Sequence, residues 1–286
     1  MSRIETITSL DALRTRVDGW KREGLRVGFV PTMGNLHAGH HSLVRLAREH
    51  ADRVVASVFV NPTQFGPDED FDRYPRTPEE DAAGLQAAGC DVVWMPSVQT
   101  MYPFGADNAV RMRVPGVTDV LEGERRPGHF DGVATVVSRL FNQVQPDVAA
   151  FGRKDYQQLA VIRYLVRDLA FPIQLLAGDT VREADGLAMS SRNRYLSEAE
   201  REQATQIHRS LLAMRDSLLA GEQAAQVEAT AMQRLEAAGF AVEYAVLRTP
   251  ELAQPSDDGG ARVLLIAARL GNTRLIDNLE FEMAGT

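Results

Sequence analysis

Short apolar runs alternate with amphipathic stretches through the first two thirds of this chain, and the alternation predicts most of its elements. Arg26 to Thr32 (RVGFVPT) is a β-branched and aromatic run that stops at Pro31. A turn-rich segment, MGNLHAGH, follows, and then Leu43, Val44, Ala47 and Ala51 recur at helical spacing. Val54 to Val60 (VVASVFV) resumes the apolar pattern, so this stretch has the length of one βαβ unit, about 30 residues. The pattern then repeats, with helices predicted over 78–88, 131–144 and 156–170 and strands over 91–95, 147–151 and 172–177. Continuous apolar strands separated by amphipathic helices require a parallel sheet covered on both faces, a doubly wound, Rossmann-like α/β domain.

Beyond about residue 184 the pattern changes. Ser197-Glu198-Ala199-Glu200 is a capping box that opens a long helix to about residue 220, and a second helix runs to 238. Three strand-like runs close the chain, 241–248, 262–269 and 273–281, separated by a Pro/Asp/Gly-rich loop over 254–260 and by Gly271-Asn272. Helices followed by strands without alternation predict a smaller α+β domain, so the expected division is 1–184 and 185–286. At about 150 residues per domain the length also allows two. There is no internal repeat.

Composition changes the picture by exclusion. Apolar residues at 44% and charged residues at 24% are ordinary for a folded globular protein. Lys+Arg 31 against Asp+Glu 39 leaves a net charge of −8, a field that repels nucleic acid and anionic membranes, so neither is an expected partner. The apolar runs fall far short of the roughly 20 residues a spanning helix needs. A single cysteine, Cys90, and the lack of an apolar leader segment predict a cytoplasmic protein without disulfides. Cys90 itself, just before a strand, reads as a small buried residue.

In open parallel sheets, ligands bind at the loops leaving the carboxyl ends of strands, which singles out three segments. The first is Pro31-Thr32-Met33-Gly34-Asn35-Leu36-His37-Ala38-Gly39-His40. Free N–H groups and the dipole of a helix start favour an anion there, the glycines let a phosphate approach, and His37 and His40 can donate to its oxygens. Two alternatives stand beside phosphate contact: a polar helix cap, and a histidine pair for zinc. His41 is expected to be solvated, and His50 and His208 to be plain helix or surface residues. The second segment is Gly152-Arg153-Lys154-Asp155, where lysine offers a mobile charge for phosphate and Asp155 serves a ribose hydroxyl, caps a helix, or both. The third is Met189-Ser190-Ser191-Arg192, two hydroxyls and a guanidinium in sequence. Asn61, Gln64 and Gln158 place neutral amides near the same strand ends, suited to a small substrate's hydroxyls or carboxylate, and His129 is a further candidate to face them. Glu79-Glu80-Asp81 fits either Mg²⁺ or, better, the first-turn acids of a helix.

Together these segments resemble a known family. PTMGNLHAGH is similar to the HxGH signature of the nucleotidyltransferase superfamily, and MSSRN to its second, KMSKS-like signature. With FVNPTQFGPDEDFDRYPRT, LEGERRPGHFDGV, FGRKDYQQL, VREADGLAMSSRNRYLS and RLIDN in order, the chain resembles the pantoate:β-alanine ligase family almost from end to end. The resemblance implies a Rossmann-like fold and an ATP-dependent ligase acting with Mg²⁺. Pantoate would be activated as an acyl adenylate, with pyrophosphate released, and then captured by β-alanine, with AMP released. It implies ATP contacts at Met33 to His40, Gly152 to Asp155, Val181 and Met189 to Arg192, with His40 as proton donor. It also implies pantoate contacts at Gln64 and Gln158, β-alanine beside Gln64, and a homodimer. Met33 is a further candidate to meet the substrate, and because a reactive acyl adenylate must be kept from water, the second domain is expected to close over the cleft. Arg153 departs from the family pattern, where Glu or Gln is common, and is expected to point outward. Two other readings remain: a nucleotidyltransferase acting on a phosphorylated substrate, which neutral Gln64 and Gln158 disfavour, and a nucleotide-binding regulatory protein that has lost the chemistry.

Overall fold

The computed structural model describes residues 3–66, 69, 71–256 and 259–284. Residues 67, 68 and 70 of the FVNPTQF block and 257 and 258 of the Pro/Asp/Gly-rich loop lie outside them. The chain divides into two units, the first made of Met1–Gly152 and Gln157–Asp179, the second of Arg153–Tyr156 and Thr180–Thr286.

The first unit holds strands β1 Glu5–Ile7, β2 Val27–Thr32, β3 Arg53–Val58, β4 Val92–Trp94, β5 Val148–Gly152 and β6 Gln174–Gly178. They lie in the order β1-β4-β3-β2-β5-β6 with every pairing parallel. Its helices are α1 Leu10–Arg22, α2 Ala38–His50, α3 Pro78–Ala87, α4 Val98–Met101, α5 Glu122–Arg125 and α6 His129–Val144, and α7 Tyr156–Asp168 follows β5. From β2 the chain winds outward through β3 and β4 and then returns to the other side of β2 as β5 and β6. The carboxyl ends of β2 and β5 therefore flank the point where strand order reverses, the usual ligand position in such sheets.

Each central strand is apolar on both faces because helices cover both. Phe29, Val55, Ala149 and Phe151 pack with Leu13, Trp20, Phe141 and Leu159 of α1, α6 and α7. The intervening Val30, Val54, Ala56 and Ala150 pack with Leu43, Val44, Ala47 and Leu85 of α2 and α3. Cys90 lies in this second layer, buried as expected, with its thiol pushed up to about 12 by desolvation. The doubly wound α/β architecture is the one the alternation predicts. The first 25 residues, to which the patterning assigned no element, add β1 and α1. β1 is only three residues long, and α1 buries Leu13, Val17 and Trp20 at helical spacing.

In the second unit, α8 Glu198–Ala204, α9 Gln206–Leu219 and α10 Ala224–Ala237 precede β7 Ala241–Arg248, β8 Gly260–Leu270 and β9 Thr273–Met283. The strands form an antiparallel sheet in the order β7-β8-β9, and Leu211, Leu235, Leu264 and Ile266 share its core. The Ser197–Glu200 capping box is present, with the Glu200 carboxylate accepting the Ser197 N–H at 2.8 Å. The long helix expected after it is broken at Thr205. The Thr205 hydroxyl donates to the Glu202 carbonyl at 2.7 Å and its N–H reaches the same atom, a three-residue step that interrupts the four-residue ladder.

The expected division after residue 184 shifts for a reason visible in β9. Asn278 and Glu280 of that strand take hydrogen bonds with residues 153–156, and Asp277 takes Arg182, which draws these segments into the second unit.

Candidate active site

The segment after β2 is shaped by its backbone. Gly34 has φ +86° and Asn35 φ +53°, so successive N–H groups turn toward one side, and α2 starts immediately after with His37 as its N-cap. Gly34 is required on two counts. Its φ lies in the left-handed region, and a Cβ there would sit 2.9 Å from Asp81 Oδ2 and 3.0 Å from Val58 Cγ1. Asp81 is the anchor of the turn: only 3% exposed, it accepts the Asn35 N–H at 2.9 Å and the Leu36 N–H at 2.8 Å. Glu79, Glu80 and Asp81 do stand in the first turn of α3, as expected of acids at a helix start, and Asp81 has a further role because its carboxylate is turned inward onto the loop. Sequence reasoning passed over this role, although an acid four residues before buried Leu85, on the same helical face, was the available signal.

His37 and His40 cap α2 reciprocally. His37 Nδ1 accepts the Gly39 N–H at 3.1 Å and His40 Nδ1 accepts the His37 N–H at 3.3 Å, with ring centroids 4.2 Å apart. Nδ1 of each ring accepts a backbone N–H, so in the neutral imidazole the hydrogen sits on Nε2. His41 is not solvated as expected: it is half-buried against α3, where a Cβ on Gly84 would meet its Nε2 at 2.5 Å. Burial first, then Arg45, lowers its pKa.

A second cluster surrounds Gln64, in a single 3₁₀ turn (Pro62–Gln64) after β3. Gln64 is 8% exposed, accepts from Asn61 Nδ2 at 3.1 Å and points its own Nε2 at Met33 Sδ, 3.1 Å away. Asn61, expected to face a substrate, is 1% exposed and bonded internally. Its Nδ2 also donates to Gly132 O, and its Oδ1 accepts from Tyr102 Oη at 2.6 Å and from Thr63. Its side chain supports Gln64 through the Nδ2 bond. His129 is likewise a support: Arg126 donates to Nε2 at 3.1 Å, which leaves Nδ1–H to donate to the Gln64 carbonyl at 2.8 Å. Burial, then the Arg126 charge, holds the His129 imidazole down at about 4. Arg126 in turn grips Glu69 through two bonds of 2.6 and 2.7 Å, which keep that carboxyl below its usual range against the opposing effect of burial. Gln158, in the first turn of α7, is half-buried. Its neighbour Gln157 is engaged by Glu122, Val117 and Val120.

The second unit carries the remaining candidates. Lys154 Nζ lies 3.4 Å from the carboxylate of exposed Asp155. Arg153 does not simply point outward: its guanidinium pairs with Glu280 of β9 and stays one third exposed (33%). Val181 O accepts the Met189 N–H at 2.9 Å, and Glu183 N and Leu187 O pair at 2.8 Å, so 181–189 forms a narrow hairpin. The hairpin delivers Ser190, whose hydroxyl caps a 3₁₀ turn by accepting from Arg192 N at 3.3 Å; Ser191 starts that turn. Arg182 locks the hairpin to Asp277 through bonds of 2.6 and 3.0 Å. His208, expected to be unremarkable, packs 3.9 Å from the same carboxylate, and desolvation followed by Arg182 lowers its pKa.

Comparisons with known proteins agree with one another. Residues 5–280 match the family described as pantoate-beta-alanine ligase. The pantothenate synthetase of Stenotrophomonas maltophilia (strain R551-3) is 68% identical over 97% of this chain and all of its own, and that of Xanthomonas euvesicatoria pv. vesicatoria is 70% identical over the same shares. The crystal structure of pantothenate synthetase from Thermus thermophilus superposes with a TM-score of 0.88 at 48% identity, covering 96% of this chain and 99% of that one. The Francisella tularensis pantoate-beta-alanine ligase, complexed with beta-gamma ATP and beta-alanine, gives a TM-score of 0.81 at 30% identity over 96% of this chain and 97% of its own. The two-unit architecture, the imidazole-capped helix and these full-length matches lead to one assignment: the chain belongs to the pantoate-beta-alanine ligase family.

Proposed function

We propose that this protein condenses pantoate with β-alanine, using ATP. A carboxylate oxygen of pantoate attacks the α-phosphorus, forming the acyl adenylate as the bond to pyrophosphate breaks. The β-alanine amine then attacks the acyl carbon, loses a proton and expels AMP. The observation that carries this reading is the paired imidazole cap, which puts two histidine rings with Nδ1 engaged by the backbone at a helix start whose dipole favours anions. In this reading Met33, Gly34, Asn35, Leu36, His37, Ala38, Gly39 and His40 take the nucleotide, with His40 as proton donor. Gly152, Arg153, Lys154, Asp155, Val181, Met189, Ser190, Ser191 and Arg192 complete its contacts. Charge develops on phosphate oxygens during adenylation, so fixed donors and cations do the catalysis and no protein nucleophile is needed. Gln64 and Gln158 hold pantoate, with Gln64 also facing β-alanine, while Asn61 and His129 hold Gln64.

Among the described residues no group of three or more His, Cys, Asp or Glu side chains is placed to bind a metal. Mg²⁺ in this reading arrives on the ATP phosphates, as it commonly does. Buried, unpaired Cys90 supports a cytoplasmic protein, and the family resemblance supports a homodimer, which sedimentation would test. Among the described residues no helix is long and apolar enough to cross a membrane.

The test is AMP release from ATP and Mg²⁺ with pantoate alone, β-alanine alone, and both. Turnover that needs both supports the ligase. ATP binding without AMP formation under any of the three conditions would return the reading to a nucleotidyltransferase or a regulatory protein.

A further inference from the structure

The two segments that carry the candidate cations of the second unit are far apart in sequence, yet both are tied to adjacent residues of β9. The Asn278 side chain donates one amide hydrogen to the Arg153 carbonyl at 2.9 Å and the other to the Lys154 carbonyl at 2.8 Å. Asp277, with its side chain 4% exposed, accepts both bonds from Arg182 and, through Oδ1, the Asn278 N–H at 2.8 Å. Arg182 also donates to Gly186 O at 3.1 Å inside the hairpin that leads to Ser190–Arg192. Only a primary amide fits position 278: it supplies two N–H donors to two carbonyls, whereas a carboxylate there would face both with acceptors.

From this geometry we propose that Asp277 and Asn278 are positioning residues for the adenylation step. Asn278 sets the backbone that presents Lys154, and Asp277 sets the hairpin that presents Ser190, Ser191 and Arg192, so one dipeptide fixes both cation-bearing segments in a common frame. The proposal rests on the ligase reading for what those cations do. It does not rest on that reading for the frame itself.

The experiment compares the full-length chain with Asn278→Ala, Asn278→Asp, Lys154→Ala and the double variants that combine Lys154→Ala with Asn278→Ala or with Asn278→Asp. Single-turnover adenylate formation and calorimetric ATP affinity are both measured, with pantoate affinity as a control on the first unit. Asn278→Ala is expected to slow adenylate formation by about 10- to 100-fold, the scale of misplacing a reacting group from a distance. The same change should cost less than about threefold when Lys154 is already alanine, because coupled residues are not additive. Pantoate affinity should hold. An equal loss in both backgrounds, or no loss in either, overturns the proposal. If Asn278→Ala does not fold, Asn278→Asp, of the same size, decides by the same comparison with the lysine present and absent; failure of both to fold assigns Asn278 to folding and overturns positioning. Unaltered protein that binds ATP but forms no adenylate sinks the ligase reading, and ATP affinity across the same variants still judges Asn278. A chain that neither binds nor uses ATP overturns both.

Discussion

The His129 imidazole gives the most quantitative prediction. In the folded protein it donates Nδ1–H to the Gln64 carbonyl and accepts from Arg126 at Nε2, and its pKa falls from 6.5 to about 4 through burial and the arginine charge. A folded pKa below the unfolded one means the unfolded chain binds the proton first. The contribution of His129 is thus fully present above pH 6.5 and is lost as pH falls toward 4. Between pH 7.5 and pH 5 the loss from this residue is about 2 kcal/mol, and residual exposure of the half-buried side chain trims it toward about 1.5. Replacing His129 with Asn keeps a donor for Gln64 and removes the titration. Urea unfolding followed by tryptophan fluorescence reads the right region, since Trp20 and Trp94 both lie in the first unit. The wild-type midpoint should fall more steeply with acid than that of His129→Asn by this amount. His41, whose pKa is also lowered, contributes equally to both proteins and cancels. Identical pH slopes for the two would refute the account of His129 as a neutral, desolvated clamp.

Three further expectations concern the candidate site. Gly34→Ala forces a side chain into a left-handed φ against Asp81 and Val58, and should destabilise the first unit by about 2 to 3 kcal/mol in the same urea assay. His40→Ala and Lys154→Ala should each slow adenylate formation by about 100- to 1,000-fold in single-turnover quench, the scale of removing one transition-state donor; unchanged rates would count against both roles. Gln64→Ala should weaken pantoate by about 1 to 3 kcal/mol in calorimetric titration while leaving ATP affinity within experimental error.

Local pattern made the first unit readable and left its supports hidden. The β2–α2–β3 segment could be placed because apolar period, turn residues and helix start all fall within a few dozen positions and agree. The residue types at the strand ends were equally readable, since imidazole, amide and ammonium groups in such loops suit phosphate and carboxylate chemistry. What pattern does not encode is the partner of a polar side chain. Asn61 and Gln64 look alike in sequence, but Asn61 is bound to Tyr102, 41 residues away, and to Gly132, 71 away. Asp81 meets Asn35 across 46 positions, and Arg182 meets Asp277 across 95. His208 looked unremarkable because helix periodicity says which face a residue occupies and nothing of an ion pair brought to that face from elsewhere. The break at Thr205 was a near miss, since a threonine inside a predicted helix can compete for a backbone carbonyl.

The hidden residues share one physical task, holding the backbone around the candidate contacts. Asp81 fixes the N–H groups of Asn35 and Leu36, His129 fixes the carbonyl of Gln64, and Asn278 fixes the carbonyls of Arg153 and Lys154. In each case a side chain holds the backbone beside a candidate ligand contact rather than the contact itself. A flexible loop would have to be ordered each time charge appears on phosphate, and that reorganisation would oppose the very stabilisation the donors provide. Ordering the backbone during folding removes the cost from the reaction, because the bonds that do it are made once, in the native state. The net charge of −8 gives the molecule as a whole no attraction for a triphosphate. Recognition must therefore come from a few oriented dipoles and cations held at short range, where loss of orientation is as damaging as loss of the charge.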